Sequence, residues 1–120
     1  GGAGAHVVYD SVGQATFDGS LASLRVRGML VLYGAASGPV PPFELQRLNS
    51  GGSLFVTRPS LGHHTLTLQE TQGRADALFE GVKSGQVSIR IHKSYSLEQA
   101  PQAHRDLEGR LSSGKLLIQL

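Results

Sequence analysis

At 120 residues, with 39% hydrophobic residues and 16 glycines, the chain has the size and composition of one folded domain with many tight turns. It contains no cysteine, which excludes a disulfide framework, a thiolate metal site and a cysteine nucleophile. Net charge is only +2 and the signs alternate along the chain, so there is no basic block for nucleic acid; no stretch reaches the ~18 apolar residues of a membrane span. Gly1-Gly2-Ala3-Gly4 carries neither the basic nor the apolar region of a signal peptide. The expectation is a protein of the cytoplasm.

In chain order, His6 to Tyr9 reads as a short strand, apolar and β-branched between small residues. Thr16 to Arg27 reads as a helix with Phe17, Leu21, Leu24 and Val26 on its apolar face and Gly28 as its cap. Met29 to Leu32 is a continuous apolar run, the pattern of a strand covered on both faces. Gly34-Ala35-Ala36-Ser37-Gly38 ends it, and Pro39, Pro41 and Pro42 force an extended excursion. Ser53 to Thr57 is a third strand, closed by Arg58-Pro59. Thr67 and Glu70 have capping-box spacing and open a helix to about Ser84, with Gly85 past its end. Val87, Ile89 and Ile91 alternate like a half-exposed strand. Ser96 and Gln99 form a second capping box, opening a helix to about Arg110 in which Pro101 removes a hydrogen bond. Leu116 to Ile118 is a last strand.

Strand and helix alternate, which favours a mostly parallel sheet with helices on its faces. Ligands of such sheets bind at the carboxyl ends of the strands. Those ends are Asp10 to Gly13, Tyr33 to Ser37 and Arg58 to Leu61, small or polar residues beside apolar strands that together suggest one ligand rim.

Three chemistries compete for it. Tyr9-Asp10-Ser11-Val12-Gly13 nearly matches a nucleophile elbow with Ser11 as nucleophile, needing His64 or His104 and Asp76 or Asp106 as partners. The elbow leaves no room two positions before the serine, where Tyr9 stands, so a turn-forming Ser11 is the better reading. His63-His64 has no third ligand at useful spacing and reads as a solvated pair. For a nucleotide, Gly13 and Gly34 permit close backbone approach, and Arg58 and Arg110 offer planar forks of donors. The phosphate signature G-x-G-x-x-G after a first strand is absent.

Three stretches carry a resemblance. VVYDSVG, GMLVLYGAASGPVPPFELQRLNSGGSLFVTRPSL and AHRDLEGRLSSGKLLI together resemble the NADPH-dependent quinone oxidoreductases, the zinc-free, zeta-crystallin-like members of the medium-chain dehydrogenase/reductase superfamily. The resemblance runs from about Ala5 to Ile118. It implies that VVYDSVG is the fourth strand of a Rossmann sheet, after the topological reversal. The expected fold is therefore α/β: a partial Rossmann-like parallel sheet over residues 1–85, the second half of the NADPH-binding domain, plus a C-terminal α/β segment over 86–120 that rejoins the catalytic domain.

The resemblance also implies the site. Ser11 and Val12 would lie near the ribose and nicotinamide; Tyr33, Gly34, Ala35 and Ala36 would line the next strand end; Arg58, Pro59, Ser60 and Leu61 would approach the carboxamide; Arg110 would reach the cofactor from the far side. No residue is implied as a general acid or base. The reaction implied for the full-length protein is hydride transfer from NADPH to a quinone or enone. The assembly implied is a homodimer through Pro42 to Leu48 and the Ser53 to Thr57 edge strand. A non-catalytic cofactor-binding or dimerisation module is the alternative.

Overall fold

A computed structural model describes residues 2–120. The chain forms two compact units, one ending at Leu66 and the other spanning Thr67–Leu120.

The first unit is built on a three-stranded parallel sheet in the order β1-β2-β3, with β1 at Ala5–Asp10, β2 at Leu24–Leu32 and β3 at Phe55–Thr57. Two short helices connect them, α1 at Phe17–Ala22 and α2 at Gln46–Ser50. Val8, Leu30 and Val56 are register partners and form the inward row. Leu30 is fully buried in a cluster with Phe17, Leu21, Leu24, Leu32 and Leu54. Val40, Phe43 and Leu48 pack against that cluster, and the Phe43 ring meets Phe17 at 5.0 Å between centroids. The proline-rich excursion is thus tied down by its apolar side chains, which remove their own area from water at about 25 cal/mol per Å².

The opposite face of this sheet is open. Val7, Met29 and Phe55 form its cross-strand row and remain 42%, 37% and 55% exposed. The apolar run Met29 to Leu32 therefore alternates between a covered and an uncovered face, where the sequence pattern predicts cover on both.

The helix expected over Thr16 to Arg27 stops at Ala22, and Leu24 already pairs with Ala5 in β2. Between there and Val7–Met29 the register slips: the advance from Ala5 to Val7 faces the longer advance from Leu24 to Met29. Arg27 takes the left-handed conformation at φ 60° to make this bulge. Gly28 is no helix cap. A Cβ there would lie 2.8 Å from the Arg25 carbonyl and 3.0 Å from that of Ala5. The third strand is also shorter than Ser53 to Thr57, because Ser53 sits at φ 55° and begins outside the extended region.

The second unit opens with α3 at Leu68–Lys83. Its capping box forms as the spacing predicts, with Thr67 Oγ1 accepting from the Glu70 N–H and the Glu70 carboxylate accepting from the Thr67 N–H. Strands β4 at Ile91–Ser96 and β5 at Lys115–Gln119 pair in parallel. Val87 and Ile89 lie outside β4, so only the last residue of that alternating run is a strand residue. The Ser96–Gln99 box caps a single 3₁₀ turn that leads into α4 at Ala100–Glu108. Pro101 falls in the first turn of α4, where its missing N–H removes no intrahelical bond. Tyr95 of β4 is 1% exposed, and its hydroxyl donates to Asp106 of α4 at 2.6 Å.

Candidate functional site

All three strands of the first sheet run parallel, so the segments after Asp10, Leu32 and Thr57 leave from one edge. Two of them interlock. The Tyr33 and Gly34 N–H groups donate to the Asp10 carbonyl at 2.9 and 3.3 Å. The Ala36 N–H reaches the Ser11 carbonyl, and the Ser37 N–H and hydroxyl both reach that of Val12 at 2.8 and 2.7 Å. This contact needs glycine. A Cβ on Gly34 would lie 2.2 Å from the Ser11 carbonyl oxygen, and one on Gly13, at φ 90°, would lie 2.7 Å from that of Gly38.

Asp10 organises the first turn. Its Oδ1 accepts from the N–H groups of Val12 and Gly13 at 2.8 and 3.0 Å, Thr16 Oγ1 lies within 2.9 Å of both oxygens, and Ser20 Oγ donates to Oδ2 at 2.8 Å. The residue is 4% exposed. Burial alone would favour the neutral acid, but these N–H and hydroxyl donors outweigh it and hold the carboxyl at about 2, against an ordinary 3.8.

Ser11, Tyr33, Ala35 and Ala36 are exposed on this edge, while Val12 and Gly34 are half-buried. Arg58, Ser60 and Leu61 are exposed beyond β3, with Pro59 half-buried. The Arg58 guanidinium donates to the Pro59 carbonyl at 3.0 Å. Leu61 begins a 3₁₀ turn that also carries His63 and His64, both exposed. Arg110 belongs to the second unit. It follows α4 at φ 56°, its N–H donating to the Leu107 carbonyl and that of Leu111 to Asp106. This is a left-handed helix terminus with arginine where glycine is usual.

Ser11 lacks the strained backbone of a nucleophile elbow; the non-glycine residues with positive φ, among those described, are Arg27, Ser53 and Arg110. Clefts of about 310 and 460 Å³ flank the Asp18–Arg47 ion pair on the α1 side, and no rim residue lines either. Sequence reasoning places Asp10 at a strand end of the rim but gives it no role of its own. Its signal was an aspartate closing a strand with hydroxyls six and ten residues on, a spacing that means nothing until the turn's path is known.

The sequence model described as zinc-binding dehydrogenase matches residues 1–118. The chain belongs to this family. A quinone oxidoreductase of Pseudomonas aeruginosa is 42% identical over 112 residues, covering 93% of this chain and 34% of that protein. Among solved structures, a mycobacterial quinone oxidoreductase superposes with a TM-score of 0.88 at 50% identity, over 97% of this chain and 36% of the other. The Escherichia coli quinone oxidoreductase complexed with NADPH gives 0.85 at 39% identity, over 99% and 37%. The chain thus spans about a third of the length of these relatives. These likenesses confirm the α/β class and the family resemblance.

Zinc is named in the family description, but the described residues gather no group of three or more His, Asp or Glu side chains that could hold a metal ion.

Proposed function

We propose that this chain is part of an NADPH-dependent quinone oxidoreductase, and that its strand-end rim forms the nicotinamide side of the cofactor site. The observation that carries the reading is the single edge on which Ser11, Val12 and Tyr33 to Ala36 meet, in a fold shared with a relative solved with NADPH. The exposed groups fit a dinucleotide: the Ser11 hydroxyl and the Arg58 guanidinium as donors, and exposed Tyr33 and Leu61 to shield a ring from water, on a turn whose backbone N–H groups are largely paired internally. Bound NADPH would supply the hydride for a quinone or enone. Ser11 and Val12 would face the ribose and nicotinamide, Arg58 to Leu61 the carboxamide, and Arg110 the cofactor from the other side. None of them is assigned a proton-transfer role.

Further parts of the reading rest on the family resemblance. Residues 1–85 would belong to the cofactor domain and 86–120 to the catalytic domain. The enzyme would work without zinc, in the cytoplasm, as a homodimer through Pro42 to Leu48 and the Ser53 to Thr57 edge. β3 does stand at an edge of its sheet, which favours strand-to-strand pairing. That observation also supports a second reading, a dimerisation module without turnover.

One experiment separates them. The intact protein is mixed with NADPH and a quinone, and NADPH oxidation is followed beside calorimetric titration of the 120-residue chain alone. Turnover by the intact protein with weak or no binding by the chain alone supports the reductase reading. An intact protein that neither binds NADPH nor oxidises it overturns that reading and leaves the module.

A further inference from the structure

We propose that Asp10 is the positioning residue of the strand-end rim, holding the Ser11–Gly13 turn with its carboxylate and the Tyr33–Gly34 turn with its carbonyl, so that one residue sets the spacing between two cofactor-facing loops. This rests on the reading of the rim as a nicotinamide-side surface.

The carboxylate is not used to start α1. The first helical N–H, that of Phe17, donates to the Gly13 carbonyl, and Thr16 makes no side-chain cap. The acceptors of Asp10 are spent instead on the N–H groups of Val12 and Gly13, which precede the helix. Thr16 and Ser20 reach back from the helix side and fix the carboxylate itself. Displacement of that turn is transmitted, because the Ser11 and Val12 carbonyls hold Ala36 and Ser37 in the second loop. The carboxylate lies behind the rim, buried, so it acts through the backbone it orders rather than by touching a ligand.

The test compares Asp10→Ala, Asp10→Asn and Thr16→Val in the intact protein, read by NADPH affinity, by KM against kcat, and by amide hydrogen exchange. A misplacement of the rim of under an ångström predicts about a tenfold rise in the NADPH Kd for D10A. The rise should appear in the cofactor KM; loss of folded protein would lower the apparent kcat and leave KM alone. D10N should lie between wild type and D10A, since its amide oxygen still accepts from two N–H groups. Exchange should quicken at Val12 and Gly13 and, by transmission, at Ala36 and Ser37. A folded D10A with wild-type NADPH affinity and wild-type exchange at Ala36 and Ser37 overturns the proposal. If D10A does not fold, T16V decides, with an expected threefold loss of affinity on the order of one weakened hydrogen bond; an unchanged affinity overturns it. If wild-type protein shows no response to NADPH, the cofactor reading falls separately. The exchange pattern then decides the positioning role: coupled loss of protection in both loops upholds it, and unchanged protection in the second loop defeats it.

Discussion

Replacing Gly34 by alanine tests the interlock of the two rim turns directly. The new Cβ would lie 2.2 Å from the Ser11 carbonyl oxygen, 2.7 Å from its carbon and 2.8 Å from the Ser11 Cα, against ordinary contacts of 3.4 Å and more. All three neighbours are backbone, and they are held in place by Asp10, so no side chain can rotate away. Overpacking of this kind costs about 1–3 kcal/mol, and backbone on backbone belongs at the upper end. For a unit this small each kcal/mol moves the melting temperature by roughly 4–8 °C, so G34A should melt at least ~10 °C below wild type. Gly19→Ala is the matched control in the same unit. It sits inside α1 with nothing within 4 Å of the added methyl, and should gain up to about 1 kcal/mol from helix propensity alone. The assay is thermal unfolding followed by amide signals of residues in β1 and β2. A G34A protein that melts within a degree or two of wild type would refute the close-packed turn and the argument for glycine there.

Acid unfolding should report on Asp10. Its pKa is lower in the folded state, about 2 against 3.8, so the stabilisation is present above about pH 4 and is lost as pH falls from there towards 2. The shift corresponds to about 2 kcal/mol. Urea midpoints of wild type should fall across that window by more than those of D10N, and parallel curves would exclude a native carboxylate held by these donors. At Arg110, replacement by glycine removes the left-handed strain and should stabilise the second unit by about 1 kcal/mol. The same variant should weaken NADPH binding by the intact protein if the guanidinium reaches the cofactor, and calorimetry showing unchanged affinity would remove Arg110 from the site.

Much of the fold is written in local pattern. The Thr67–Glu70 box marks the start of α3, and the β-branched run from His6 to Tyr9 falls within β1. The error over Thr16 to Arg27 has a definite cause. Phe17, Leu21 and Leu24 do fall on one helical face, and all three are buried in one cluster. Leu24 enters it from a strand, because its pairing with Ala5 competes with another helical turn and the bulge at Arg27 lets it win. Gly28 looks like a cap in sequence for the same reason that it is needed in the bulge: both demand the absence of a Cβ.

The site was legible in a different way. Strand order alone points to the carboxyl edge, but no single side chain there announces chemistry. The groups at the rim are mostly peptide N–H and C=O, brought together by Gly13, Gly34 and the buried carboxylate of Asp10. Backbone groups are the same in every sequence, so a search for acid–base pairs or ligand clusters finds nothing to rank. A surface of this kind suits chemistry that a cofactor carries, since orientation and exclusion of water are what it can offer. The open face of the sheet bears on the second of these. Parallel sheets are ordinarily buried on both sides, yet Tyr9 is 72% exposed beside the uncovered Val7–Met29–Phe55 row. Within the first unit, the packed α1 side of the sheet is the side that shields the strand ends from water. The relatives are about three times as long as this chain.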